Sequence, residues 1–142
     1  MLYFDTSFLV PLFFAESTSS RVAAFIGGQR REQLAVSHWT KLEFSSVLAR
    51  EVRAGKLEGE VAAAVNVLFD DLVASSFAVL LPTAADFELS REYLQRHDAK
   101  LRVGDAFHLA IAKNHSARAV YSFVGGLARA ASLLGIQANP GF

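Results

Sequence analysis

A chain of 142 residues with 52% apolar side chains and a mean hydropathy of +0.28 holds enough apolar material for one domain with a substantial core. It has no cysteine, which excludes disulfides and thiolate metal sites and fits a reducing, cytoplasmic setting. Fourteen basic residues balance fourteen acidic ones, which neither favours nor excludes a nucleic-acid partner, because a bound cation can neutralise active-site acids.

The chain opens on Leu2-Tyr3-Phe4, three strand formers that lead into Asp5 and the hydroxyl pair Thr6-Ser7. The apolar run up to Ala15 does not read as a secretory signal: it has no basic start, carries Asp5 within it, and meets its first arginine only at Arg21. No uninterrupted apolar run is long enough to span a bilayer, so no membrane is expected. Thr6 to Phe14 reads as a helix shortened or bent by Pro11. A second helix begins at Ser17 and closes at Gly27-Gly28. After a polar turn, Leu34-Ala35-Val36 is the second buried strand, and Ser37 and Thr40 offer caps for a helix from Trp39 to Ala54. Gly55 stops that helix.

In the next helix, Leu57, Val61, Ala64, Val65, Leu68 and Leu72 fall on one apolar stripe. Phe77 to Leu81 is a third strand, ended by Pro82. Thr83 caps a helix carrying Phe87, Leu89, Tyr93 and Leu94. A polar linker, His97 to Lys100, leads to Gly104 and to a helix opened by Asp105 that runs through Ala112 and is apolar nearly all round, hence buried. Ala119 to Ser122 is the fourth strand. Leu127 to Leu134 forms the last helix, closed by Gly135, and Ile136 onwards reads as an edge strand or a tail. Strands alternating with helices predict a single α/β domain over residues 1–142, a three-layer α/β/α sandwich around a mostly parallel sheet of four to five strands.

Ligands of such sheets bind outside the carboxyl ends of the strands, where Asp5 falls by strand length alone. Asp5 also suits a helix N-cap, and the two roles are compatible. Glu43 lies early in the helix after the second strand, at the same edge, where charge–dipole pairing is the plain alternative. Asp105 enters a buried helix, which is costly for a carboxylate unless it is paired or binds a cation. Three acids meeting at one rim would raise one another's pKa unless a divalent ion held them. All-oxygen donors suit Mg²⁺ or Mn²⁺ rather than zinc, and such ions serve phosphodiester chemistry. His108 lies one turn beyond Asp105 and reads more readily as a core or supporting histidine than as a base. His38, His97 and His115 have no site-like spacing, Asp86, Asp98 and Asp70-Asp71 read as solvated helix ends or faces, and the aromatic side chains read as core.

Tyr3-Phe4-Asp5-Thr6-Ser7, Lys41-Leu42-Glu43, Gly104-Asp105-Ala106-Phe107-His108-Leu109-Ala110 and the segment from Ser122 to Gly135 together resemble PIN-domain ribonucleases, most of all the VapC toxins of type II toxin–antitoxin pairs. The resemblance spans essentially the whole chain in order. It implies a PIN-like sandwich and a Mg²⁺- or Mn²⁺-dependent endoribonuclease, with Asp5, Glu43 and Asp105 as the catalytic, metal-holding acids and Ser7, Ser122 and His108 in support. It further implies a homodimer, a VapB antitoxin whose C-terminal segment blocks the site, and tRNA or rRNA as substrate. One position departs: Val124 stands where the family places a fourth acid, and no Asp or Glu follows Asp105.

Two other functions compete. Loss of the fourth acid favours a PIN-fold binding module that holds RNA or antitoxin without efficient turnover. A haloacid-dehalogenase-like phosphatase would need a second acid at position 7, where Ser7 stands. For RNA approach, Arg50, Arg53, Lys56, Lys100, Arg102 and Arg129 are the candidate cations.

Overall fold

Strand β1 (Leu2–Phe4) is the middle of a five-stranded parallel sheet of order β3-β2-β1-β4-β5. The computed structural model describes residues 1–139. β2 (Leu34–Ser37) and β4 (Ala119–Tyr121) flank β1, in registers that pair Leu2 with Leu34 on one side and with Ala119 on the other. β3 (Ala78–Leu80) and β5 (Ala138–Asn139) are the edges. The segment from Ile136 thus supplies an edge strand, and its continuation at residues 140–142 lies outside the described residues.

Side chains that alternate along a strand point to opposite faces, and here they feed two cores. Leu2 and Phe4 join Phe8, Val36, Phe44, Phe69 and Tyr121 on one face. Tyr3 joins Val120, Leu109, Ile111 and Leu127 on the other. Helices cover both faces, so the sandwich has three layers.

The helices are α1 (Thr6–Leu9), α2 (Ser19–Gly27), α3 (His38–Arg53), α4 (Gly59–Ser76), α5 (Ala84–Gln95), α6 (Val103–Asn114) and α7 (Gly125–Leu133). The first predicted helix is cut to one turn: a 3₁₀ turn over Val10–Leu12 follows, with Pro11 supplying no N–H to continue the α-helix. α2 starts two residues later than expected, because the Ser19 hydroxyl spans the turn before it, accepting from Glu16 N and donating to Phe14 O. α3 opens on a reciprocal cap, with Ser37 Oγ accepting from Thr40 N and Thr40 Oγ1 accepting from Ser37 N.

Two expectations need correction. In α4 the fully buried positions are Phe69 and Val73; of the anticipated stripe Leu57, Val65 and Leu72 pack half-buried against the core, while Val61 and Leu68 are exposed. The α4 contact turns about one residue away from that stripe because Phe44 of α3 stacks on Phe69, with ring centroids 3.9 Å apart. Asp86 is not a solvated helix end. It is fully buried, with Oδ2 accepting from Thr83 N at 2.7 Å and Oδ1 from Asn114 Nδ2 at 2.8 Å, and so ties the start of α5 to the end of α6. Sequence periodicity cannot reveal such a partner 28 residues away.

Candidate active site

The order β3-β2-β1-β4-β5 reverses direction between β1 and β4, which opens a crevice at their carboxyl ends. Asp5 follows β1 directly and is only 2% exposed. Its Oδ1 accepts from Phe8 N at 3.2 Å and from Ser7 Oγ at 2.6 Å, so the N-cap role is real. Ser7 Oγ in turn accepts from Phe123 N at 2.9 Å, stitching the end of β1 to the end of β4. Ser122, buried there, accepts from Val124 N at 3.0 Å and adds a hydroxyl contact to Asp5. Burial pushes the Asp5 carboxyl above its ordinary range, and His108, Ser122, Ser7 and the Phe8 amide offset only part of that.

Glu43 sits in the second turn of α3. Thr6 Oγ1 donates to its Oε2 at 2.6 Å, and His108 Nε2 approaches the same oxygen at 2.6 Å. Burial alone would raise this carboxyl, but His108 and Thr6 outweigh it and leave Glu43 below its ordinary range. The Trp39 indole N–H is buried, meets no hydrogen-bond partner among the described residues, and lies near enough to Glu43 to add to the lowering. Asp105 falls in the first turn of α6, which begins two residues earlier than expected, and its Oδ2 lies 3.4 Å from Arg102 Nε.

Asp5, Glu43 and Asp105 line one open cavity of about 680 Å³, together with Ser7, His108 and Val124. The predicted acids therefore line one cavity, as do Ser7 and His108 of the three supporting residues, while Ser122 lies behind Ser7 and does not line it. Mutual repulsion is not what shifts Asp5 or Glu43: Asp5 is governed by burial, and in Glu43 the burial is outweighed by His108 and Thr6. Of the candidate cations, Arg50 and Arg102 line the cavity, whereas Arg53, Lys56, Lys100 and Arg129 do not.

Among the described residues, no three acidic or histidine side chains stand close enough to make a ready-formed metal site. The donor chemistry nonetheless fits a hard divalent cation. The set is carboxylate oxygen, it faces a shared cavity, and Asp5 is a buried acid that forms no salt bridge among the described residues.

Sequence reasoning missed Thr6 and Tyr3. Thr6 is the bridge between the β1 edge and Glu43, and Tyr3 reaches His108 Nδ1 at 2.8 Å from beneath. The one signal available was a polar-tipped residue inside an otherwise apolar strand.

The sequence matches the PIN-domain family over residues 2–133, and the chain belongs to that family. No curated protein matches it. The fold is similar to Mycobacterium tuberculosis VapC20, described as a sarcin–ricin loop cleaving toxin, at 21% identity and a TM-score of 0.71, covering 96% of each chain. It is also similar to FitAcB of Neisseria gonorrhoeae, at 21% identity and a TM-score of 0.71, over 99% of this chain and 98% of that one. VapBC-1 of nontypeable Haemophilus influenzae is a further neighbour, at 14% identity and a TM-score of 0.69, over 98% and 97%. Among the described residues no helix is long and apolar enough to cross a membrane.

Proposed function

We propose that this PIN-domain protein is a divalent-cation-dependent endoribonuclease, the VapC-type toxin of a type II toxin–antitoxin pair acting in the cytoplasm. The observation that carries the reading is the shared cavity of Asp5, Glu43 and Asp105, three acids far apart in sequence that a purely structural protein has no reason to gather. These three would hold Mg²⁺ or Mn²⁺. When bound, the cation supplies Lewis-acid polarisation of a phosphodiester and a nucleophile at neutral pH. Ser7 and Ser122 keep Asp5 in place, Thr6 and His108 keep Glu43 in place, and Arg50 and Arg102 stand where a phosphate backbone would enter.

The partners follow from the same reading. The similarity to VapBC-1 and to a chain of a toxin–antitoxin complex from Klebsiella pneumoniae supports a VapB-type antitoxin. Homodimerisation draws support from a nearly all-apolar surface groove formed by Trp39, Leu42, Phe87, Leu94, Val103 and Phe107, in which Leu42, Phe87 and Val103 are exposed. tRNA or rRNA is the substrate class in keeping with the family. The test is cleavage of RNA in Mg²⁺ by the wild type and by Asp5→Ala. The variant is expected to be inert, and equal cleavage by both would end the proposal.

Val124 favours a second reading, a module that binds RNA or antitoxin without turnover. Val124 lines the same cavity and brings no oxygen to it. Wild type and Val124→Asp compared in one cleavage assay separate the two: cutting by the variant alone favours the binding module.

A further inference from the structure

Behind Glu43 runs a chain of hydrogen bonds of which the nuclease reading uses only the last, from His108. The Tyr3 hydroxyl, at a fully buried residue of the central strand, lies 2.8 Å from Ser37 Oγ and 2.8 Å from His108 Nδ1. His108, itself 2% exposed, presents its other nitrogen to Glu43 Oε2 at 2.6 Å. The chemistry of the groups orders these contacts. An ionised carboxylate only accepts, so Nε2 must carry the proton that it shares with Glu43. A tyrosine phenol carries a proton at neutral pH, and at this distance it can donate that proton to Nδ1. The Ser37 hydroxyl then donates to the phenol oxygen. With a neutral imidazole every bond then points the same way, from Ser37 through Tyr3 and His108 to Glu43.

We propose that Tyr3 and His108 are positioning residues: the Tyr3 hydroxyl fixes His108 as the Nε2–H tautomer, and His108 with Thr6 then clamps one oxygen of Glu43 so that the carboxylate is pre-set for a cation. This rests on the nuclease reading above. Both clamping bonds fall on Oε2, which leaves Oε1 to lie against Gly104. The clamp is anchored on rigid parts, the middle strand of the sheet and the capped start of α3. Space-filling alone would be met by phenylalanine, which fills the neighbouring position 4 of the same strand. A buried hydroxyl is retained at a cost unless its bonds are used.

The test uses the full chain, first without metal. Nitrogen-15 spectra of histidine-labelled protein, with His108 assigned by its loss in His108→Gln, should show an Nε2–H tautomer in the wild type. In Tyr3→Phe, which keeps the ring and the fold, that signal should shift toward a mixture of tautomers. Calorimetric titration with Mn²⁺ should show about 10-fold weaker binding in Tyr3→Phe, in the range found when the outer hydrogen-bond partner of a metal ligand is removed. RNA cleavage should fall by a similar factor, with the melting temperature lowered but the cooperative unfolding transition retained. His108→Gln keeps an N–H donor and should bind Mn²⁺ more tightly than His108→Leu. An unchanged tautomer and unchanged Mn²⁺ affinity in Tyr3→Phe, while Asp5→Asn loses Mn²⁺, would overturn the relay and leave the nuclease reading standing. A wild type that takes up no Mn²⁺ would overturn both. Should Tyr3→Phe fail to fold, Ser37→Ala removes the next hydroxyl outward and is read by the same two measurements.

Discussion

Gly104 and Glu43 compete for one small volume: a Cβ added to Gly104 would stand 2.6 Å from Glu43 Oε1. Gly104 belongs to the first turn of α6 and Glu43 to α3, so this contact brings two helices together at the rim of the cavity. The glycine is there for close approach, not for an unusual backbone angle.

Gly104→Ala should therefore act on the site more than on the fold. The clash is with the far end of a flexible side chain, which can swing away at the expense of its bonds to Thr6 and His108, about 1–3 kcal/mol. Thermal melts should show at most that loss, and Mn²⁺ affinity should fall at least 10-fold. Wild-type affinity in the variant would mean that the position of Oε1 is immaterial.

Asp5 carries a stability cost that depends on pH. Its folded-state pKa lies above the unfolded value, so the folded protein binds the proton more tightly. Stability from this group is greatest below the unfolded carboxyl pKa and is lost as pH rises from about 4 through the raised folded value. At neutral pH the group costs stability, because the unfolded chain ionises it freely and the buried site does not. Asp5→Asn keeps an oxygen for the Phe8 and Ser7 bonds without the charge, and should melt above the metal-free wild type at pH 7 but not at pH 4. It should also lose cleavage. Parallel melting curves at the two pH values decide the matter.

Glu43 carries the opposite sign. Its folded pKa is lowered, so its contribution is present above the unfolded value and disappears as pH falls through the folded one. In Glu43→Gln the stability advantage of the wild type should shrink on acidification from pH 6 to pH 3. Urea unfolding at several pH values measures it.

Val124 occupies the N-cap of α7 in an extended conformation and makes no side-chain cap. An aspartate there could accept from the first-turn amides, so Val124→Asp should stabilise metal-free protein by about 1 kcal/mol if repulsion from Asp5 does not cancel it. Adding Mg²⁺ should raise the melting temperature of Val124→Asp by more than that of the wild type. Equal shifts would show that position 124 does not reach the cation.

Asp86 offers a contrast away from the site. Its two carboxylate oxygens serve Thr83 and Asn114 in a fully buried setting, so Asp86→Ala should cost about 2–4 kcal/mol in urea unfolding. Mn²⁺ affinity should stay as in the wild type, since none of the three residues lines the cavity.

The order of strands and helices was legible in the chain because it is written in local terms. Leu2-Tyr3-Phe4 and Leu34-Ala35-Val36 are short apolar runs, Pro11 and Gly55 are breakers, and Ser37 and Thr83 are caps. Each acts on its neighbours within a few residues. Asp5 could be placed at the rim for the same reason, since the residue after a parallel strand falls at the carboxyl edge, and Glu43 lies early in the helix that follows β2; Asp105 follows no strand and was singled out by its cost at the start of a buried helix and by the family resemblance. What no local rule contains is the choice of partner. That Glu43 is held by Thr6 and His108 instead of by mutual repulsion among acids, that Asp86 is buried on Asn114, and that α4 faces inward through Phe69 are contacts between distant segments. They are set by how the layers pack, and only the folded arrangement specifies them.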